Sequence, residues 1–285
     1  MCMRVASGGS ERSAAFSACV KIQVQHAVRL SGRSLRLHEA GQKMWIQTLS
    51  PDLPVPASFF CVVKTWFITG TDTGAGKTVL TSLLARYLYE LGLRVAALKP
   101  VCSGGRDDAR LLFNAIDGSL TMDEINPWYF QAAIAPTLAA RQENKSVSRR
   151  AVHAHIQNWR EKSEAILVEG AGGLLSPLGV KFNSRDLIAD LDATPIIVAP
   201  DKLGVVNQLL LTLEALSAKT TAKARIVLVS PATPDTATGS NAGLLAESFP
   251  AKRTFSLPWL GKPYSPEEVV RRPDIRQMLQ QVLEM

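Results

Sequence analysis

The sequence VVKTWFITGTDTGAGKT occupies residues 62–78 and changes character twice along its length. Residues 62–69 are β-branched and aromatic, which is typical of a buried strand. A glycine-rich loop follows, and from Lys77 onward apolar side chains recur at helical spacing as far as Leu91, where Gly92 is a natural helix terminator. Backbone N–H groups of such a loop, together with the positive end of the helix dipole, bind phosphate oxygens. The stretch therefore predicts a strand, a phosphate-binding loop and a helix.

Within this loop each residue type has an expected task. The backbone of Gly74, Ala75 and Gly76 would surround the phosphates, Lys77 would reach the β- and γ-phosphates of ATP, and the Thr78 hydroxyl would ligate Mg²⁺. The loop is a variant, because Thr71 stands where the usual pattern has its first glycine and Gly70 comes one residue earlier. A coincidental glycine-rich turn is the alternative reading.

The rest of the chain alternates predicted strands and helices. Further strands are predicted at 95–98, 165–168, 195–199, 225–229 and 253–257, and helices at 79–91 and 205–218. Strands that alternate with helices indicate a mostly parallel sheet with helices on both faces. We therefore predict an α/β fold of the P-loop nucleotide-binding type in one domain, residues 62–285. The longest apolar runs are strand-sized, so no membrane partner is expected.

Residues 1–61 differ from the remainder in composition. They are rich in Ser, Arg and Ala, show no sustained period, and contain Pro51, Pro54 and Pro56. We predict a disordered extension without function. It could be an organelle transit peptide, or an upstream start codon could have been chosen wrongly, with Met44 or a residue near Val62 as the true start; the second interpretation is preferred.

Charge and cysteine content limit the possible partners and compartment. The chain has 32 basic and 25 acidic side chains, a net charge of +7. Residues 1–64 hold eight of the basic and three of the acidic ones, so they account for +5 and the folded part for only +2. A nucleic-acid partner is therefore not expected. The four cysteines contain no CxxC spacing, which argues against a disulfide framework or a zinc site and favours the cytoplasm.

Two carboxylates are placed where ligands gather in an open α/β sheet, at the carboxyl ends of strands. Asp108 begins a predicted helix beyond the second strand, and Glu169 ends the strand at 165–168. With Thr78 they would supply the hard oxygen ligands that Mg²⁺ prefers. Asp107 is the alternative to Asp108, and an ordinary acid in the first turn of a helix is the simpler explanation for either.

Seven motifs in order make the chain resemble the dethiobiotin synthetase family over residues 65–261. They are Gly70-Thr71-Asp72-Thr73, Gly76-Lys77-Thr78, Lys99-Pro100-Val101-x-Ser103-Gly104, Asn126-Pro127-x-x-Phe130, Glu169-Gly170-Ala171-Gly172-Gly173, Lys202-Leu203-Gly204-x-x-Asn207 and Leu257-Pro258-Trp259-Leu260. The resemblance implies an ATP- and Mg²⁺-dependent ligase that closes a ring on 7,8-diaminopelargonate with CO₂ or bicarbonate. It also implies that Thr78, Asp108 and Glu169 are the metal ligands, and it favours Asp108 over Asp107.

The resemblance further assigns residues to the substrates. Lys99 and Lys77 would be catalytic, and Thr73 and Ser103 would contact the diamine; Gly74 stands where the family often has Glu. The tail carboxylate of the diamine would lie across a homodimer interface. Its ligands would be Gly204, Val205 and Asn207, at a helix start that suits an anion, although a plain capped helix would look the same.

The nucleotide side is implied in the same way. The expected ATP contacts beyond the phosphate loop are Gly170, Ala171, Gly172, Ser230, Pro258, Trp259 and Leu260. Ser230-Pro231 replaces the Asn-Asp pair that recognises adenine in the family, and a serine cannot present the paired donor and acceptor of an amide. The preferred base is therefore left open. Trp259 is equally explained by packing in the core without a contact to the nucleotide. Another P-loop ligase and a switch ATPase of the partitioning type are the rival interpretations.

Overall fold

The computed structural model describes residues 63–284 and the backbone of three earlier strands, β1 (Leu35–Ala40), β2 (Lys43–Thr48) and β3 (Val55–Pro56). The chain divides between Lys64 and Thr65 into two units, which are described separately. The three early strands form an antiparallel sheet in the order β1-β2-β3.

Three short segments of residues 1–61 are described as strands, and disorder of the extension as a whole stays a prediction. Leu37 pairs with Ile46 and His38 with Trp45 across the first two strands. The strand signal of β-branched and aromatic residues is weak here, because β1 contains none of the Val, Ile, Thr, Tyr, Phe or Trp residues that favour strands and β2 contains only Trp45, Ile46 and Thr48. The other residues of 1–61 lie outside the described part of the chain, and the boundary at 61 stays a prediction.

The second unit is built on a six-stranded sheet in the order β13-β12-β11-β4-β8-β5. Its strands are β4 (Lys64–Gly70), β5 (Val95–Leu98), β8 (Ala165–Glu169), β11 (Thr194–Pro200), β12 (Arg225–Val229) and β13 (Thr254–Leu257). Every register described between neighbours is parallel. All residues of β5 and β8 are buried, so both faces of the sheet are covered. The predicted α/β fold is confirmed.

Helices follow most of the strands. They are α1 (Lys77–Glu90), α2 (Asp107–Ala115), α3 (Met122–Ile125), α4 (Pro136–Gln142), α5 (Arg149–Gln157), α6 (Ser184–Asp190), α7 (Val205–Glu214), α8 (Ala218–Thr221), α9 (Asn241–Leu245), α10 (Pro266–Val269) and α11 (Pro273–Leu283). Short strands β6 (Val101–Ser103) and β7 (Trp128–Phe130) pair in parallel, and β9 (Pro177–Gly179) pairs antiparallel with β10 (Phe182–Asn183).

The six predicted strands agree with the observed ones to within about two residues, but the helix predicted at 205–218 is too long. Helix α7 ends at Glu214, and Ser217 starts a new helix, because its hydroxyl accepts a hydrogen bond from the backbone N–H of Thr220 at 3.3 Å. A serine in this position competes with helix continuation and acts as an N-cap. None of the helices in the described part of the chain has the length and apolarity needed to cross a membrane.

Candidate active site

The phosphate loop connects β4 to α1 and has the backbone that its glycines permit. Gly74 and Gly76 have φ values of 73° and 96°, a region that side chains disfavour. A side chain on Gly76 would also crowd Val229, since a Cβ would lie 3.2 Å from its methyl carbon. Thr71, at the variant position, donates its backbone N–H to Val198 O at 3.1 Å, so the loop is fixed to the end of β11.

Lys77 is the first residue of α1 and is buried, while Ala75 before it packs into the core. The ammonium of Lys77 donates to the backbone carbonyl of Asp72 at 2.8 Å and thus lies across the loop. Burial, and next the neighbouring Lys99 ammonium, lower the pKa of Lys77 to about 8. The group is therefore held where phosphates would meet the loop.

The pairing of two strands places a lysine beside a glutamate. Leu98 of β5 pairs with Val168 of β8, so the next residues, Lys99 and Glu169, leave the sheet side by side. Their exposed fractions are 3% and 1%. The Lys99 ammonium lies 2.5 Å from Glu169 Oε1 and 2.7 Å from Asp108 Oδ2. Two residues that are seventy positions apart in the chain thus form a buried ion pair, which the first turn of α2 completes.

The charges in this cluster support one another. Burial alone would lower the pKa of Lys99, but the Glu169 and Asp108 carboxylates outweigh it and raise that pKa above its ordinary value. Burial opposes the charge of Asp108, yet the Lys99 ammonium beside it holds the pKa of Asp108 below its ordinary value. Lys99 and Asp108 are therefore both charged near neutral pH.

Thr78, Asp108 and Glu169 meet at this cluster, as the sequence predicts. The Thr78 hydroxyl donates to Glu169 Oε1 at 2.6 Å, and Asp108 lies beside it. Asp107, the alternative ligand, pairs with Arg110 at 2.9 Å, and its side chain is 89% exposed, compared with 50% for Asp108. The donor set fits Mg²⁺, because all three are hard oxygens and Glu169 Oε2 is buried without a hydrogen-bond partner among the described residues. Metal ligation by these side chains stays a prediction.

The turn after Glu169 packs directly on the phosphate loop. A Cβ on Gly173 would lie 3.0 Å from the carbonyl oxygen of Thr71, and one on Gly170 would lie 2.6 Å from Ser184 Oγ. Gly172 has a φ of 68°, and a Cβ there would collide with Ser176 Oγ. Only glycine fits at these positions, so the small residues permit the close approach of the two loops.

A cleft of about 760 Å³ opens above the cluster, within the range of small-molecule sites. Ten of the predicted site residues line it: Thr73, Gly74, Gly76, Lys77, Thr78, Lys99, Ser103, Asp108, Ala171 and Gly172. The Ser103 hydroxyl donates to Ile134 O at 2.5 Å. Glu169 and Gly170 lie below, where they line a small apolar pocket with Phe67 and Val168. Most of the predicted phosphate, metal and diamine contacts therefore share one cavity.

The predicted tail and base contacts do not line this cleft. Gly204 caps α7 with a φ of 87°, Val205 is buried, and Asn207 is exposed. Ser230 N donates to Leu257 O at 2.9 Å, which joins the ends of β12 and β13. The remaining three base contacts, Pro258, Trp259 and Leu260, follow β13, and Trp259 is 44% exposed. Their roles stay predictions.

Three groups near the site were not predicted from the sequence. Lys262 and Cys102 line the cleft, and burial raises the pKa of the Cys102 thiol to about 11. Asp201 is buried and accepts hydrogen bonds from Asn241 Nδ2 at 2.7 Å and Gly239 N at 2.9 Å. It thereby ties the loop after β12 to the start of α7. The only local sign of this contact in the sequence is a charged residue, Asp201, directly after an apolar strand.

Comparison with known proteins gives consistent matches. The model of the AAA domain family matches residues 64–266. An ATP-dependent dethiobiotin synthetase of Akkermansia muciniphila is 39% identical over 154 residues, which cover 54% of this chain and 72% of that protein. Its counterparts in Anaeromyxobacter sp. and Methanocaldococcus jannaschii are 41% and 38% identical and are covered to 74% and 73% over 57% and 54% of this chain.

Proposed function

Since this chain belongs to the AAA domain family and, within it, to the ATP-dependent dethiobiotin synthetases, we propose that its substrates are 7,8-diaminopelargonate, CO₂ and ATP and that Mg²⁺ is its cofactor. The observation that carries the proposal is the buried Lys99 ammonium between Asp108 and Glu169, on the floor of a cleft whose rim is a phosphate loop. A fixed positive charge beside a phosphate site suits an anionic carbamate that must meet the γ-phosphate.

The reaction has three steps. One amine of the diamine attacks CO₂, loses a proton and becomes a carbamate. A carbamate oxygen then attacks the γ-phosphorus, the bond to the β–γ bridging oxygen breaks, and ADP leaves. The second amine attacks the carbonyl carbon of the resulting carbamic–phosphoric anhydride and loses a proton, the ring closes, and phosphate leaves. Phosphoryl transfer depends mainly on positioning and charge neutralisation.

The side chains of the cleft divide this work. Lys77 holds the transferred phosphoryl group and Lys99 holds the carbamate, while Thr73 and Ser103 orient the diamine. Thr78, Asp108 and Glu169 would hold Mg²⁺, which when bound neutralises charge on the phosphate oxygens. The backbone of Gly74 to Gly76 and of 170–172 surrounds the nucleotide.

The tail of the diamine is proposed to reach Gly204, Val205 and Asn207 of a second copy of the chain. Asn207 and Leu211 are one helical turn apart on α7, and Leu203 precedes them by a similar spacing. Leu203 and Leu211 are 79% and 63% exposed. Two exposed leucines on either side of a polar residue suit an interface that presents Asn207 to the substrate of the partner.

The base site is proposed to lie at the ends of β12 and β13, at Ser230 and at Pro258 to Leu260. The Ser230 side chain offers one hydroxyl in place of an amide, so discrimination between ATP and other nucleoside triphosphates should be weak. A cytoplasmic location accords with these substrates.

The direct test is to incubate the purified chain with diaminopelargonate, ¹³C-bicarbonate, Mg²⁺ and ATP. We expect phosphate release that depends on the diamine and a cyclic urea product that carries the label in mass spectrometry. Lys99→Met should still bind nucleotide but form no product, whereas Lys252→Met, at an exposed lysine outside the cleft, should behave as the parent. ATP turnover that is indifferent to the diamine would favour a switch ATPase.

A further inference from the structure

Lys262 is a charged residue of the cleft that none of the seven motifs contains. It lies in the segment between β13 and α10 and lines the cleft together with Gly76 and Lys77. Its side chain is exposed, and none of the ion pairs found within residues 63–284 involves it. A lysine that enters a ligand cleft without a protein counter-ion is available to an anion.

Two contacts hold this segment and the helix that follows it, α10, on the helix that begins at the phosphate loop. The Tyr264 hydroxyl lies 3.4 Å from Ser82 Oγ, and Arg86 lies 3.7 Å from Glu267. Ser82 and Arg86 belong to α1, whose first residue is Lys77. Lys262 is therefore positioned by contacts to the same helix that positions the loop.

The charged side chains that line the cleft favour an anionic ligand near Lys262. On one side of the cleft, the Lys99 ammonium is paired with Asp108 and Glu169. Among the described residues that line the cleft, three are lysines, Lys77, Lys99 and Lys262, and one, Asp108, is acidic. The lining therefore carries net positive charge, as the binding of a nucleoside triphosphate requires.

We propose that Lys262 binds the β- and γ-phosphates of the nucleotide in the cleft that it shares with Lys77. The inference rests on the proposed use of ATP and deepens it. It also fits a base site with few specific contacts, because affinity then depends on the phosphates. The residue binds the nucleotide and takes no part in proton transfer.

The test measures nucleotide binding by calorimetry, with no diamine present, for the parent, Lys262→Ala, Lys262→Arg and the control Lys252→Ala. A hydrogen bond between charged groups contributes enough that its loss should weaken ATP binding about tenfold. AMP, which lacks the outer phosphates, should bind Lys262→Ala as it binds the parent. Lys262→Arg should restore most of the ATP affinity.

The outcomes separate the two proposals. If the parent does not bind ATP, the proposed function itself fails. If the parent binds ATP but Lys262→Ala binds ATP and AMP in the same ratio as the parent, only the role of Lys262 is refuted. A selective rise in the Michaelis constant for the diamine, with unchanged ATP affinity, would assign Lys262 to the substrate tail and overturn the proposal. Urea unfolding confirms that the exposed substitution leaves the fold intact.

Discussion

Replacing Lys99 and replacing Glu169 should lower the stability of the protein by different amounts, although the two residues form one ion pair. In Lys99→Met, Glu169 keeps one neutral donor, Thr78, for a carboxylate whose side chain is fully buried. Removing one partner of a buried pair is strongly destabilising, so we expect a loss of about 3 kcal/mol in the free energy of unfolding. Asp108 adds little to this loss, because half of its side chain is exposed and water can replace the ammonium.

Glu169→Gln should cost less, about 1 kcal/mol, since the ammonium keeps Asp108 at 2.7 Å and the amide oxygen can still accept from Thr78. The double variant Lys99→Met/Glu169→Gln removes both charges together. It should lose about 2 kcal/mol rather than the sum of about 4, which is a coupling of about 2 kcal/mol.

These values are measured by urea titration followed by circular dichroism, with the slope m compared between variants. The exposed substitution Lys252→Met serves as the control and should change stability by less than about 0.5 kcal/mol. Additive single losses in the double variant, or a smaller loss for Lys99→Met than for Glu169→Gln, would refute the reasoning.

Three further outcomes are expected. Gly172→Ala should destabilise the chain by about 2 kcal/mol or more in thermal unfolding, because it combines a positive φ with a collision at Ser176. Gly74→Ala has a similar φ but open space around it, so it should cost only about 1 kcal/mol. Burial lowers the pKa of His155 despite its hydrogen bond to Glu124 O. The unfolded chain therefore binds the proton more tightly than the folded chain, so the free energy of unfolding should fall as the pH drops below about 6.5. His155→Gln should flatten that part of the profile of stability against pH. Asp201→Ala removes the acceptor of Gly239 N and one of the three acceptors of Asn241 Nδ2, so it should lower the free energy of unfolding by about 1 kcal/mol in urea titration, with equal stability to the parent as the contrary result.

Much of the second unit could be predicted because its strands are continuous apolar runs. The residues that end them, Lys99 and Glu169, could be placed at one edge of the sheet by the rule for parallel strands. The choice of Asp108 over Asp107 came from family resemblance, and the structure adds its physical basis, since only Asp108 contacts Lys99.

Other contacts could not be predicted, since they depend on which distant segments meet. The ion pair of Lys99 needs the pairing of β5 with β8, and the position of Lys262 needs the anchoring of Tyr264 on α1. Neither has a local sequence pattern. The early strands between 35 and 56 could not be predicted either. Their β-patterns are short and interrupted by polar residues, so they resemble a segment without regular structure.

The adjacency of Lys99 and Glu169 also disfavours an incorrect register between β5 and β8. If β5 and β8 paired one residue out of step, the two side chains would point to opposite faces of the sheet, and each charge would enter an apolar layer alone. The slipped chain would thus lose its fold and the proposed active site through the same error. Stably folded but inactive copies with this error should accordingly not accumulate.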